Sequence, residues 1–478
     1  MKKYIPILLI ALSVAVGCKD FLVEEPPMAQ SDVLTLSTYK GLNLCVAGSY
    51  AAVSSGSWYG KNMILRPEMA TNGKKFIGTA FDTGRLNDYY SINYKAGNTS
   101  GLWGTAYSLI SEVNRIMENL EGKGEPQDLD NLKAECLFLR ALAHFDLCRV
   151  YARPYTYSSD ASHLGVPIML KYEDPGAASK PARNTVKEVY DNVIADLLEA
   201  EKIIDPSYAR EGADQKAVVS LPVIQALLSR VYLYCENWAK SAEYATKVIE
   251  CGQYELWETE DFKEAACYRQ DVPKGGEIIF EVYDRNDNDS FMGNEGMSFS
   301  TNPDGYPDAG SSQELLDLYA DGDVRKDLFQ SRTNSKGESG LWTLKYAGKG
   351  MATPDYNNIV ILRLSEMYLN RAEAGLHGVS GIDFVADMKA VASRRNATAA
   401  GASLEGLYLE RRKEFAWEGQ YWFDLYRTKR TLKRGEDYIG DPSGSLLEPS
   451  DFRWVQAIPV RELEQNENLE QNEGYQSK

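Results

Sequence analysis

The chain has 478 residues, 44% hydrophobic and 11% aromatic, enough for one large packed domain or two to three smaller ones. Its formal net charge of −17 argues against nucleic acid and anionic membrane surfaces as main partners and favours uncharged ligands. The three histidines, His144, His163 and His377, make no zinc spacing with the cysteines, so no metal and no cofactor is expected.

At the N-terminus, Lys2 and Lys3 precede an apolar run from Ile5 to Val16. A bilayer-spanning helix needs about 20 apolar residues, so the run is too short to span. It fits the core of a secretory signal. Ala15, Val16 and Gly17 lead into Cys18 in a pattern that resembles a bacterial lipobox. Residues 1–17 therefore read as a signal peptide, Cys18 as the acylated N-terminus, and residues 18–30 as a tether rich in acid and proline (Asp20, Glu24, Glu25, Pro26, Pro27). The bland alternative is an ordinary signal peptide that contains a cysteine.

The remainder, residues 31–478, reads as one mostly helical domain. Apolar periodicity predicts helices in "TYKGLNLCVAGSYAAV", "LWGTAYSLISEVNRIMENL" and "LDNLKAECLFLRALAHFDLCRVYARPY". "RNTVKEVYDNVIADLLEAEKII" starts a fourth, with Asn184 as the expected N-cap and Lys187, Glu188 and Asp191 facing out. "SLPVIQALLSRVYLYCENWAKSAEYATKVIECG" reads as a helical hairpin stopped at Gly252. Leu228, Ser229, Tyr232, Trp238, Ser241, Ala245 and Val248 fit a tetratricopeptide-like unit, in which small residues let two helices approach. Leu364, Ser365 and Tyr368 repeat its opening phrase. The predicted fold class is mostly α, a tetratricopeptide-like helical scaffold with long irregular loops and a few short β-hairpins.

Two stretches, about 54–103 and 266–358, are rich in Gly, Asn, Asp, Ser and aromatics. Loops of that length usually carry function. Short strands are expected within them at "GEIIFEVYDRND" and "GLWTLKYAG". Asp284, Asn286, Asn288 and Glu295 follow calcium-loop spacing, but Asp289 stands where the sharp turn needs glycine, so a solvated acidic loop is the preferred reading. Cys45, Cys136, Cys148, Cys235, Cys251 and Cys267 show no paired spacing, and few or no disulfides are expected.

"ERRKEFAWEGQYWFDLYR" places Arg411 three residues from Glu414, and Asp424 three from Arg427, so both pairs can form across a helical turn. A catalytic reading would make Glu414, Glu418 or Asp424 acid and base. Carboxylates interleaved with arginine favour an ion-pair lattice that fixes helix packing.

Taken in order, "AECLFLRALAHFDLCRVYARPY", "RNTVKEVYDNVIADLLEAE", "ILRLSEMYLNRAEA", "ERRKEFAWEGQYWFDLYRTKR" and "IPVRELEQNENLEQNEGY" resemble the SusD/RagB family of nutrient-binding outer-membrane lipoproteins of Bacteroidota. The resemblance runs over essentially the whole mature chain. Tyr421 stands where the family often has Arg, and Ala15 where the lipobox usually has Leu. It implies a non-enzymatic protein, lipid-anchored on the extracellular face of the outer membrane as a lid on a SusC-like TonB-dependent transporter. Its ligand would be an oligosaccharide, or a peptide as in some members.

The family's binding loops vary too much for residues to be carried over, so the candidates come from the chain itself. Sugars offer C–H faces to aromatic rings and hydroxyls to polar side chains. The first long stretch supplies Trp58, Tyr59, Arg66, Asn72, Phe76, Phe81, Tyr89 and Tyr90. The second supplies Phe291, Phe299, Asn302, Tyr306, Trp342 and Tyr346. The competing reading for each ring is loop packing. A helical glycoside hydrolase is the other alternative; it would need two carboxylates at a set separation, and no catalytic phrase is present.

Overall fold

Helices supply most of the regular structure in the computed structural model, which describes residues 32–76, 83–97, 101–173, 179–263, 276–283, 296–303, 308–333, 337, 339–346 and 358–476. The signal peptide, Cys18, the tether, Cys267 and the acidic loop from Asp284 to Glu295 lie outside the described residues. So do three of the candidate aromatics, Phe81, Phe291 and Tyr306.

Helices of seven or more residues are numbered here in chain order. Four precede the hairpin: α1 (Tyr39–Val53), α2 (Asn62–Thr71), α3 (Leu102–Glu118) and α4 (Pro126–Tyr151). Helix α4 opens with Pro126 at its first position, where the missing N–H costs nothing. From Ala134 to Tyr151 it is buried on every side, as a central core helix must be. Its polar residues survive there because each has a partner. Arg140 donates to both oxygens of Asp196 at 2.8 and 2.6 Å, and Glu135 accepts from Arg210 at 2.5 Å and Tyr208 at 2.8 Å. His144 is pushed down to about 3 by burial, so its ring is neutral. Nδ1 faces the Arg140 carbonyl at 3.0 Å, while Nε2 accepts from the Met169 amide at 3.2 Å. Cys136 and Cys148 are small core residues, and the five described cysteines are unbridged.

Helix α5 (Val186–Ile203) packs on α4, and its cap is Thr185 rather than Asn184. The Thr185 hydroxyl accepts from the Glu188 amide at 3.2 Å, while the Glu188 carboxylate takes the Thr185 amide at 2.8 Å. Asn184 is drawn the other way, its side-chain oxygen accepting from Ile168 N at 3.0 Å. Helices α6 (Leu221–Tyr234) and α7 (Trp238–Glu250) form the expected hairpin. Gly252 follows with φ of 72°, the left-handed conformation that ends a helix. Helix α8 (Leu364–Leu376) packs on α7, and α9 (Phe384–Ser393) on α8. At the entry to α7, Trp238 stacks on His377 with ring centroids 3.8 Å apart.

Helices α10 (Leu404–Glu414) and α11 (Tyr421–Arg427) carry the charged phrase. Asp424 and Arg427 pair as expected, at 2.9 Å. Arg411 and Glu414 do not pair. Arg411 reaches across to Asp424 at 2.8 Å and Asn370 at 2.9 Å. Glu414 instead meets Arg363 at 2.6 Å, Arg395 at 2.8 Å and Arg325 at 3.1 Å. A buried carboxylate gains more from three guanidinium groups than from one neighbour along its helix, and this cluster holds Glu414 well below the usual range despite its burial. Glu418 is held low in the same way by Arg363 and Lys345.

The strands are short and paired two by two. β4 (Phe329–Thr333) and β5 (Ser339–Thr343) make a hairpin with Phe329 opposite Thr343, as the second strand phrase implied. β2 (Ile278–Val282) does not form a local hairpin. It pairs antiparallel with β6 (Ile359–Arg363), and all five of its residues are buried, so its sequence alternation does not mark a solvent face. β1 (Gly73–Lys74) pairs with β3 (Gly310–Ser311), which ties the two long stretches to each other.

Candidate functional site

The first long stretch is not all loop. Residues Asn62–Thr71 form α2, nine of them from Met63 onward buried, with Pro67 inside. Proline removes the amide that would bond the Met63 carbonyl. The Trp417–Gly419 turn packs against that carbonyl so closely that a Cβ on Gly419 would lie 2.6 Å from it. Gly419 also has φ of 75°, so the position needs glycine for two reasons. Its amide donates to Glu68 of α2 at 2.8 Å, and Asn72 donates to the same carboxylate at 3.0 Å. Burial pushes Glu68 up to about 7 against those bonds.

Beside α2 a recess of about 180 Å³ opens between the two long stretches. Lys61, Asn62, Leu65, Arg85, Leu86 and Tyr89 line it from the first, and Ser300 and Asp308 from the second. Asp308 is buried; it accepts from the Thr83 amide at 2.8 Å and from the Thr83 hydroxyl, and lies 3.7 Å from Arg85. Among the described residues the buried Ser300 hydroxyl has no hydrogen-bond partner. A half-buried ring, a cation, a held carboxylate and an unpaired hydroxyl can bind a polyhydroxylated ligand through stacking and directed hydrogen bonds.

Of the sequence-derived candidates, Tyr89 lines this recess, and the Arg66 guanidinium lies 4.4 Å from its ring centre on the inner side. Asn302 is half-buried and accepts from Arg332 at 3.4 Å; Phe299 is half-buried beside Ser300. The other candidates that lie among the described residues are packing groups in this structure. Trp58 is fully buried, its indole N–H donating to Asp146 at 2.7 Å, with Tyr59 stacked on it and bonded to Arg149. Phe76 and Trp342 stack at 5.3 Å as a buried pair between β1–β3 and β4–β5. Tyr90 lies under Arg434, Tyr346 donates to the Trp417 carbonyl at 2.6 Å, and Asn72 is held by Glu68 and Arg412. The correction has one cause: wide rings are the best filling for gaps between loops and helices, so the largest are the least available to a ligand. Lys61, Asn62, Arg85, Ser300 and Asp308 were not among the candidates. Their signal was faint, namely polar residues flanking aromatics within the two stretches.

A helical-repeat scaffold with a recess built from two long insertions is the class that fold and site define. A family profile described as starch-binding associating with outer membrane, SusD-like, matches residues 20–233, and the SusD family profile matches residues 330–475. The chain belongs to the SusD/RagB family. SusD-like protein P2 of Formosa agariphila is 26% identical over 99% of this chain and all of its own length. The crystal structure of a SusD superfamily protein from Bacteroides vulgatus superposes with a TM-score of 0.80 at 27% identity, covering 92% of this chain and 99% of its own. A laminarin-binding SusD-like protein shares the fold with a TM-score of 0.74 at 21% identity, over 92% of this chain and 100% of its own.

Proposed function

We propose that this protein captures oligosaccharides at the cell surface, in the recess between its two long insertions, and passes them to a SusC-like TonB-dependent transporter. The observation that carries the reading is that recess, where Tyr89, Arg85, Asp308 and the unpaired Ser300 hydroxyl converge from segments far apart in sequence. Membership of a family described as starch-binding supports a glycan ligand, and so does the sharing of this fold with a laminarin-binding SusD-like protein. The same family description supports association with the outer membrane. Acylation at Cys18 would supply the anchor, and the acidic tether would hold the domain on the extracellular face.

The protein binds without cleaving. Glycoside hydrolysis uses two carboxylates flanking the scissile bond. Among the described residues Asp308 is the one carboxylate lining the recess, and Thr83 and Arg85 hold it. The acids of the α10–α11 region are locked by arginine and lysine. Calorimetric titration of the mature protein with a panel of oligosaccharides, followed by an assay for new reducing ends, tests both parts. Binding without release supports the reading. Release of reducing ends, or binding of peptides in place of every glycan, overturns it.

A further inference from the structure

Arg66 is 3% exposed, and among the described residues its Nε and Nη1 have no hydrogen-bond partner. Every other buried arginine there meets a carboxylate or a backbone carbonyl, although Nη2 of Arg411 is also left without a partner. Arg140, Arg210, Arg230, Arg395 and Arg411 each meet a carboxylate, for example, while Arg183 and Arg434 donate to backbone carbonyls. Arg66 has only ring faces, Tyr89 at 4.4 Å and Tyr94 at 5.5 Å. Burial pushes the Tyr94 phenol up to about 12, so that neighbour is neutral and supplies no counter-charge. A buried cation without an anion or a full set of acceptors is costly, and a chain this acidic had many carboxylates with which to pair it.

The guanidinium faces a small cavity of about 30 Å³, lined also by Asn62, Tyr94, Phe423, Trp454 and Gln456. A water needs roughly 10–15 Å³ by this measure, so the cavity holds about two oxygen-sized groups, the number on a carboxylate. Among the described residues the Gln456 side-chain oxygen is buried there without a partner as well; the opposite orientation of that amide would present N–H groups to the same space. Asn62 lines both this cavity and the recess, and Tyr89 lines the recess while covering Arg66. The two spaces are therefore neighbours along one face of α2, where Asn62 and Arg66 stand one turn apart.

We infer that Arg66 is the counter-ion for a carboxylate on the ligand, which makes the captured oligosaccharide one that contains uronic acid. The inference rests on the glycan reading above and narrows it to acidic chains. The net charge of the protein would disfavour such a ligand at long range, and a shielded guanidinium with two free donors recovers the loss at contact.

The test compares oligogalacturonate, oligoalginate and hyaluronan oligomers with their carboxyl-reduced counterparts, alongside neutral glucans, by calorimetry on wild type, Arg66→Gln and Arg66→Lys. Wild type should bind one of the uronate series about tenfold or more tightly than its reduced form. Arg66→Gln should abolish that preference while melting near the wild-type temperature, since among the described residues Nε and Nη1 of Arg66 have no hydrogen bond to lose. Arg66→Lys should retain part of the preference. The comparison of native and reduced ligand on wild type stands even if a variant fails to fold. Equal or tighter binding of neutral glycans overturns the inference and leaves the glycan reading intact. Peptide binding with no glycan bound overturns both.

Discussion

Ser229 and Ser241 exchange hydrogen bonds across the α6–α7 hairpin: each hydroxyl donates to the other's carbonyl, at 3.1 and 3.0 Å. Both serines are fully buried, and Asn370 of α8 donates to the Ser229 hydroxyl at 3.3 Å. The small side chains permit the close approach, and the reciprocal bonds satisfy backbone acceptors already engaged in their own helices. Ser229→Ala leaves the Asn370 amide and the Ser241 carbonyl each one partner short. It should cost about 1–3 kcal/mol, and Ser241→Ala somewhat less. Urea denaturation of the two variants checks the order.

Glu68 provides a pH signature. Its folded-state value of about 7 lies above the ordinary 4.5, so the native state holds this proton more tightly than the unfolded chain does. The stability it contributes is complete below 4.5 and is lost as pH rises towards 7. Over that window wild type should lose about 3 kcal/mol relative to Glu68→Gln. Parallel denaturation curves of the two proteins across the window would refute this, whatever the other carboxylates do.

Trp58 and Trp342 were the natural choices for a stacking platform, and their burial reverses the expectation. Trp58→Ala removes a fully buried indole and one of the bonds to Asp146, and Trp342→Ala removes the buried ring stacked on Phe76. Each should destabilise the fold by about 3–5 kcal/mol. A calorimetric melt separates this from a surface role, for which the melting temperature would hardly move.

Tyr89 is the ring that should behave as a ligand contact. It is half-buried in the recess and covers Arg66. Tyr89→Ala should weaken the best glycan about tenfold while costing stability about 1 kcal/mol or less, the scale of one cation–π contact. Unchanged affinity would place the binding surface elsewhere.

Cys18→Ala should release the protein from the outer-membrane fraction without altering its fold, because acylation there is the proposed anchor. Fractionation of cells expressing the variant, beside a far-UV spectrum of the purified protein, checks both halves.

Short-range structure was legible in the residues. The α1, α3 and α4 helices, the α6–α7 hairpin with its paired small residues and the stop at Gly252 all follow from contacts three or four positions apart. The ordered phrases that resemble the family were legible for the same reason, since each is a local pattern. What the chain did not disclose was set by partners distant in sequence. Helix α2 was hidden because Pro67, Asn72 and Gly73 read as breaks, while Gly419, some 350 residues on, is what receives it. Glu414 turned from Arg411 to Arg325, Arg363 and Arg395 because a buried carboxylate is governed by what surrounds it in space. The site followed the same logic. The two insertions were identifiable by composition, but which rings they would bury was decided by packing between strands and helices that meet only in the folded chain. Tertiary packing likewise left the Arg66 guanidinium and the Ser300 hydroxyl unpaired among the described residues, since a missing partner exists only once every other group has found its own.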